Sequence, residues 1–214
     1  MRLFLVGLSL LISGPVFADP SCKEQVDTAF AKLRDAKSFR LETTISNTQG
    51  TLTMKADYVL PDRMHQIVTV SGQPMPMEMI VIGKRAWSNQ SGVWAELPPA
   101  FADTVSNQIK ETVAQPPKIG TDYKCVGDKD FEGKTYSLYQ GVLAMPLSAD
   151  APEKGPRVTA VSTPNQQSVY IDKQTGLPVR NIVTKVTEPD KRLFDGKFTV
   201  VQGLTIEPPA VTAN

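Results

Sequence analysis

Residues 39–60 read FRLETTISNTQGTLTMKADYVL, and this stretch decides the fold. Apolar and polar residues alternate through residues 39–46 and again through residues 51–60, on either side of Gly50. A period of two over such lengths predicts two strands, each with one face on a core and the other toward water. Proline cannot donate a ladder hydrogen bond, so Pro61 is expected to end the second strand.

The rest of the chain continues this pattern in both directions. Strands are predicted over residues 63–70, 75–87 and 93–95, and a second set over 123–126, 135–142, 168–172, 177–187 and 197–202. Residues 173–176 are expected to close a hairpin, because Gly176 suits a left-handed backbone position. The pattern predicts an α+β protein whose sheet is antiparallel, without internal repeats.

Two amphipathic helices are predicted to cover the apolar face of this sheet. Ser21 is a favourable cap for a helix over residues 22–36, which places Val26, Phe30 and Leu33 on one face. A second helix is predicted over residues 100–114, with a stripe of Phe101, Val105, Ile109 and Val113. Each helix either packs as core or lines a pocket, and the pattern is compatible with both.

The first 18 residues have the features of a secretory signal peptide. Arg2 precedes an apolar segment, residues 3–12, that is too short to span a bilayer core of ~30 Å, and a small-residue site ends at Ala18. We therefore predict export to the periplasm, a single domain over residues 19–207 and a disordered tail over residues 208–214. The formal net charge of +1 argues against a nucleic-acid partner.

The chain has two cysteines, Cys22 and Cys125, and an exported protein favours a disulfide between them. The rival interpretation makes Cys22 a lipidated N-terminus. Asp19, Pro20 and Ser21 precede it, however, and a lipobox requires a leucine-like residue three positions before the cysteine. The disulfide is the interpretation that the sequence favours.

Met75, Met77 and Met79 occupy alternate positions of one predicted strand. Flexible thioethers suit either an ordinary core or an adaptable wall around an apolar ligand. A third hypothesis is copper(I) binding, in which Met64 and His65 join the three methionines. His65 is the only histidine, which excludes a multi-histidine zinc site.

The sequence contains none of the common catalytic signatures. It has no Gly-x-Ser-x-Gly elbow, P-loop, dinucleotide fingerprint or Cys-x-x-Cys, and we expect neither an enzyme nor a cofactor. Residues 144–167 are predicted to form a long loop around a short strand at 157–161. Loops of this length are often functional.

Several segments together resemble the LolA/LppX-like superfamily, the outer-membrane lipoprotein carriers and their lipid-binding relatives. The segments are SFR at 38–40, PDR at 61–63, VIGKRAW at 81–87 and YIDKQTGLPVR at 170–180. The resemblance implies a half-open antiparallel β-barrel with helices covering its concave face and acyl chains between them. The lipoprotein carriers have an arginine where this chain has Leu60, so the resemblance implies a relative that binds a lipid or another apolar ligand.

The resulting prediction is a monomeric periplasmic binding protein for a lipid or acyl chain, with lipid or lipoprotein transport between membranes as one form of that role. A membrane or envelope protein would be its other partner. An alternative is a non-catalytic interaction module with a closed core, using residues 144–167 as its contact. The residues predicted to line the cavity are Phe30, Leu33, Leu41, Met54, Tyr58, Met77, Met79, Trp87, Phe101 and Val105.

Overall fold

The computed structural model describes residues 20–47, 50–90, 92–116, 121–143 and 164–211. The predicted signal peptide lies outside the described residues. So do residues 144–163 of the predicted loop, which include its short strand, and residues 212–214 of the predicted tail.

The first helix, α1, spans Cys22–Asp35 and begins where the sequence predicts. Ser21 and Glu24 form a reciprocal capping box: the Ser21 N–H donates to the Glu24 carboxylate at 2.7 Å, and the Glu24 N–H donates to Ser21 Oγ at 3.2 Å. Glu24 lies in the first turn, and Lys32 and Arg34 lie in the last, so the charges oppose the helix dipole. The local sequence thus supports the helix at both ends.

The described residues contain one antiparallel sheet of eleven strands, in the order β6-β5-β4-β3-β2-β1-β11-β10-β9-β8-β7. Because β6 and β7 are edge strands, the sheet does not close, and the predicted half-open barrel is confirmed. The strands are β1 Ser38–Asn47, β2 Gly50–Val59, β3 Arg63–Val70, β4 Met77–Ile82, β5 Arg85–Gln90, β6 Val93–Glu96, β7 Tyr123–Phe131, β8 Lys134–Leu143, β9 Asn165–Ile171, β10 Pro178–Lys185 and β11 Glu188–Val200.

Two of the predicted strands are corrected by the structure. The single strand expected over residues 75–87 is a hairpin, in which Ile82 of β4 pairs with Arg85 of β5 across Gly83 and Lys84. The last strand begins at Glu188 rather than at residue 197. Its first half is exposed and charged, so it carries no alternating apolar signal.

The strand register defines two faces of the sheet. Phe39 pairs with Tyr58 and Leu41 with Ala56, and these residues belong to what we call the inner face. The intervening residues form the outer face, where the Arg40 guanidinium bonds the Asp57 carboxylate at 2.6 Å. The alternation predicted for residues 39–60 is therefore the alternation between a core and an ion-paired surface.

Both helices pack on the inner face. The second helix, α2, spans Pro99–Ile109, continues as a π-helical turn over Lys110–Ala114 and contacts β4 and β5. Ser106 anchors it by donating its hydroxyl proton to the Gly83 carbonyl at 2.6 Å. By contrast, α1 contacts β7, β9 and β10. The two helices thus cover different halves of one sheet.

Cys22 and Cys125 form a disulfide, as predicted. The bond joins the first residue of α1 to the edge strand β7, with the two Cα atoms 5.3 Å apart. Within the described ranges, no helix is both long enough and apolar enough to cross a membrane.

Candidate functional site

A cavity of about 730 Å³ lies between α1 and the inner face of the sheet. Helix α1 and the π-helical turn after α2 contribute one side, and β1, β2 and β7 to β11 contribute the facing wall. Most of the side chains are apolar or aromatic, and they come from distant parts of the sequence. The principal lining residues are Val26, Phe30, Ala31, Leu33, Phe39, Leu41, Tyr58, Val113, Tyr123, Leu143, Gln167, Asn181, Phe194 and Phe198.

Aromatic contacts shape the floor of this cavity. Phe30 of α1 meets Phe198 of β11 edge to face, with ring centroids 5.6 Å apart. Phe39 and Tyr58 are cross-strand partners whose centroids lie 5.2 Å apart. Such ring pairs add to the stability gained from burial alone, so the walls are held in place by the fold itself.

Four of the ten residues predicted to line a cavity do line this one: Phe30, Leu33, Leu41 and Tyr58. Met54 and Val105 pack against the adjoining core cluster instead. The structure thus gives the locations of these residues, and ligand binding by any of the ten stays a prediction.

Three further predicted residues lie outside this cavity, beside or on α2. Met77, Met79 and Phe101 line a separate groove of about 360 Å³ between α2 and strands β3 to β5. Met77 is 49% exposed and Phe101 is 48% exposed. Helix α2 buries Ala102, Ser106 and Ile109. Of the predicted stripe, Ile109 is therefore buried and Val105 and Val113 pack against the core, whereas Phe101, at the start of the helix, is exposed.

The prediction for Trp87 is wrong about the face on which it lies. The β4–β5 hairpin pairs Trp87 with Ile80, on the outer face, where both pack against Ile206. The two-residue loop at Gly83 and Lys84 reverses the parity, so odd positions of β4 face inward whereas odd positions of β5 face outward. Trp87 is 1% exposed, and it is covered by the C-terminal segment rather than by a helix.

The potential copper donors do not share one face. Met64 is buried on the inner face, whereas His65 faces outward and bonds the Glu78 carboxylate at 2.7 Å. Met77 and Met79 lie in the groove beside α2, and Met75 is 45% exposed in the turn before β4. The arrangement does not bring the five proposed ligands together.

The cavity also contains polar side chains that the sequence analysis missed. The Tyr123 hydroxyl donates to Gln167 Oε1 at 2.8 Å, and Gln167 Nε2 donates to Asn181 Oδ1 at 3.0 Å. Burial raises the pKa of Tyr58 to about 12. Burial also raises the pKa of Tyr123 to about 12, with a hydrogen bond involving Thr121 acting in the opposite direction. Both phenols are therefore uncharged at physiological pH.

Two solved structures resemble this chain over nearly their whole length. LprF from Mycobacterium bovis superimposes with a TM-score of 0.52 at 12% identity, covering 89% of this chain and 97% of that chain. The lipoprotein LppX from Mycobacterium tuberculosis gives a TM-score of 0.52 at 12% identity, covering 85% of this chain and 94% of that chain. No protein-family model and no curated protein matches the sequence.

The fold therefore defines the class of protein: an open antiparallel half-barrel whose inner face is covered by helices. More particularly, the chain has the fold of LprF and LppX, as the resemblance of its sequence segments predicted. At 12% identity, this likeness concerns the fold, and the function has to be argued from the cavity.

Proposed function

We propose that this protein binds the acyl chain of a lipid, or another elongated apolar ligand, in the cavity under α1. The observation that carries the proposal is the cavity of about 730 Å³ enclosed by Phe30, Leu33, Leu41 and Phe198. Its volume is within the ~300–1,000 Å³ typical of small-molecule sites. Each methylene group transferred from water into such a site gains ~0.8 kcal/mol before the costs of ordering the ligand.

The position of α1 supports this role. Its apolar residues face the sheet, and the charged residues Asp27 and Arg34 lie at the rim of the cavity. The disulfide at Cys22 fastens the N-terminal end of the helix to β7. A cover held at one end to an edge strand would allow its other end to yield when a ligand enters.

We also propose the compartment and the extent of this binding protein. The sequence features of residues 1–18 and the disulfide both fit an oxidising, extracytoplasmic environment such as the periplasm. Residues 19–207 would form the binding domain, and binding would involve no catalysis. Transport of the ligand between membranes is the specific form of this role that the LolA/LppX-like fold suggests by analogy.

Filling the cavity tests the proposal. Ala31 lines the cavity from α1, so Ala31→Phe should reduce the affinity for the fluorescent apolar probe N-phenyl-1-naphthylamine by about tenfold or more, through steric exclusion. Ala100→Phe is the matched control, because Ala100 is exposed in the first turn of α2. Equal probe affinity in both variants, or no saturable binding to the wild-type protein, would contradict the proposal.

A further inference from the structure

Three polar side chains interrupt the apolar wall of the cavity in a connected row: Tyr123, Gln167 and Asn181. We infer that this polar row is a subsite for an uncharged, oxygen-bearing headgroup, such as a hydroxyl or an ester, at the end of an apolar ligand. The inference rests on the proposed function and specifies the chemical class of its ligand.

The polar row crosses four strands. Tyr123 lies on β7, Gln167 on β9 and Asn181 on β10, and hydrogen bonds of 2.8 and 3.0 Å connect them. On β8, between Tyr123 and Gln167, the paired residue is Gly141. A side chain there would stand between the two partners, so a glycine at this position lets the tyrosine hydroxyl reach across β8 to the glutamine amide.

The space above Gly141 is fully used by this arrangement. A Cβ atom added to Gly141 would lie 2.4 Å from Thr121 Cγ2, 2.7 Å from the Asp122 carbonyl oxygen and 3.2 Å from Tyr123 Cδ1. Contacts this short require the backbone to move. The segment that carries Tyr123 is therefore packed directly on the glycine, which positions the phenol ring over β8.

The direction of the hydrogen bonds leaves a donor for a ligand. Gln167 accepts from Tyr123 and donates to Asn181 Oδ1, so the Nδ2 group of Asn181 remains, and it has no partner among the described residues. An amide nitrogen carries two donor hydrogens, and a partly buried donor is stabilised by an acceptor. A ligand oxygen at this point would complete the row.

The charges around the cavity favour a neutral group over an anion. Among the described lining residues, the charged side chains are Asp27 and Arg34, both on α1. Asp27 lies near Tyr123, where its charge adds to the effect of burial in raising the pKa of the phenol. Arg34 lies seven positions after Asp27 on α1, which places it ~10 Å farther along the helix axis at a rise of ~1.5 Å per residue. Asp27 is already ion-paired with Lys23, so a carboxylate that entered beside Asp27 would have to compete with it for the Lys23 ammonium.

A matched pair of ligands tests the inference on the mature protein. Dodecanol and dodecanoate share one alkyl chain, and dodecanoate is ionised at about pH 8. Each would compete with N-phenyl-1-naphthylamine for the cavity. We expect dodecanol to bind about tenfold more tightly than dodecanoate, because an unpaired carboxylate loses more hydration than a hydroxyl does.

Near-isosteric variants then locate the subsite. Asn181→Leu and Gln167→Leu should each weaken dodecanol binding about fivefold, the worth of one hydrogen bond, while the probe still binds. Gln66→Leu is the control, because Gln66 is a half-buried amide on the inner face that lines the separate groove beside α2.

The outcomes separate the two proposals. If the probe binds but dodecanol is not preferred over dodecanoate, the subsite is overturned and the apolar cavity stands. The same holds if the preference is unchanged in both Asn181→Leu and Gln167→Leu. A preference for dodecanoate that disappears in Arg34→Met would overturn it in favour of an anionic headgroup at the rim. Absence of probe binding by the wild-type protein would overturn the proposed function itself.

Discussion

Cys22, the first residue of the helix that covers the cavity, is covalently bonded to Cys125 in the edge strand β7. This bond closes a loop with a sequence separation of 103 residues and ties the cover to one rim of the half-barrel. An edge strand has a single neighbour in the sheet, so the disulfide gives β7 a second, covalent attachment to the rest of the fold.

Removing this bond should destabilise the protein. We expect the double variant Cys22→Ser/Cys125→Ser to lose about 2–4 kcal/mol in free energy of unfolding, because the unfolded chain regains the freedom of a long loop. Urea titration measures the change, and reduced wild-type protein serves as the control. A midpoint equal to that of the oxidised wild type would contradict the expectation.

Trp87 should matter for stability and not for binding. It is buried on the outer face against Ile80 and Ile206, so Trp87→Ala should lower the free energy of unfolding by about 3–5 kcal/mol. In Trp87→Phe, which keeps most of the packing, probe affinity should stay within about twofold of the wild type. A large loss of affinity in this folded variant would show that Trp87 acts on the cavity.

The folding stability should depend on pH through the Asp172 carboxyl. Two hydrogen bonds lower the pKa of the Asp172 carboxyl to about 2 from a usual 3.8. The larger effect comes from the Lys134 side chain, and the next from the backbone N–H of Thr175. A lowered pKa means that the stabilisation is present above the unfolded value and is lost as the pH falls toward 2.

The corresponding variant is Asp172→Asn. It should melt below the wild type at neutral pH, and the difference should shrink as the pH falls from about 4 to about 2. Asp128→Asn is the control, because Asp128 forms an exposed ion pair with Lys173. A difference in melting temperature that is constant across this pH range would contradict the assignment to Asp172.

Much of the fold follows from local patterns. The register of β1 and β2 pairs Phe39 with Tyr58 as alternation requires, and Ser21 caps α1 through a local capping box. The β9–β10 hairpin turns at Gly176 with φ +67°, as its glycine predicts. These features depend on a few adjacent residues, which is why the sequence alone indicates them.

The cavity is harder to predict from local sequence patterns, because its walls depend on pairings between strands that are distant in the sequence. The two-residue loop at Gly83 and Lys84 places Trp87 on the opposite face of the sheet from the predicted one. Phe101 is exposed at the start of α2, although Ile109 of the same predicted stripe is buried. The row of Tyr123, Gln167 and Asn181 exists only after β7 to β10 are in register. No local period marks polar residues that converge in this way.

If the cavity holds an apolar ligand, native mass spectrometry of the purified protein should detect a bound species of lipid mass that organic extraction releases. This species should be absent from Ala31→Phe and retained in Ala100→Phe. A ligand-free mass for the wild type, unshifted after incubation with phosphatidylethanolamine–phosphatidylglycerol vesicles, would contradict the proposed function.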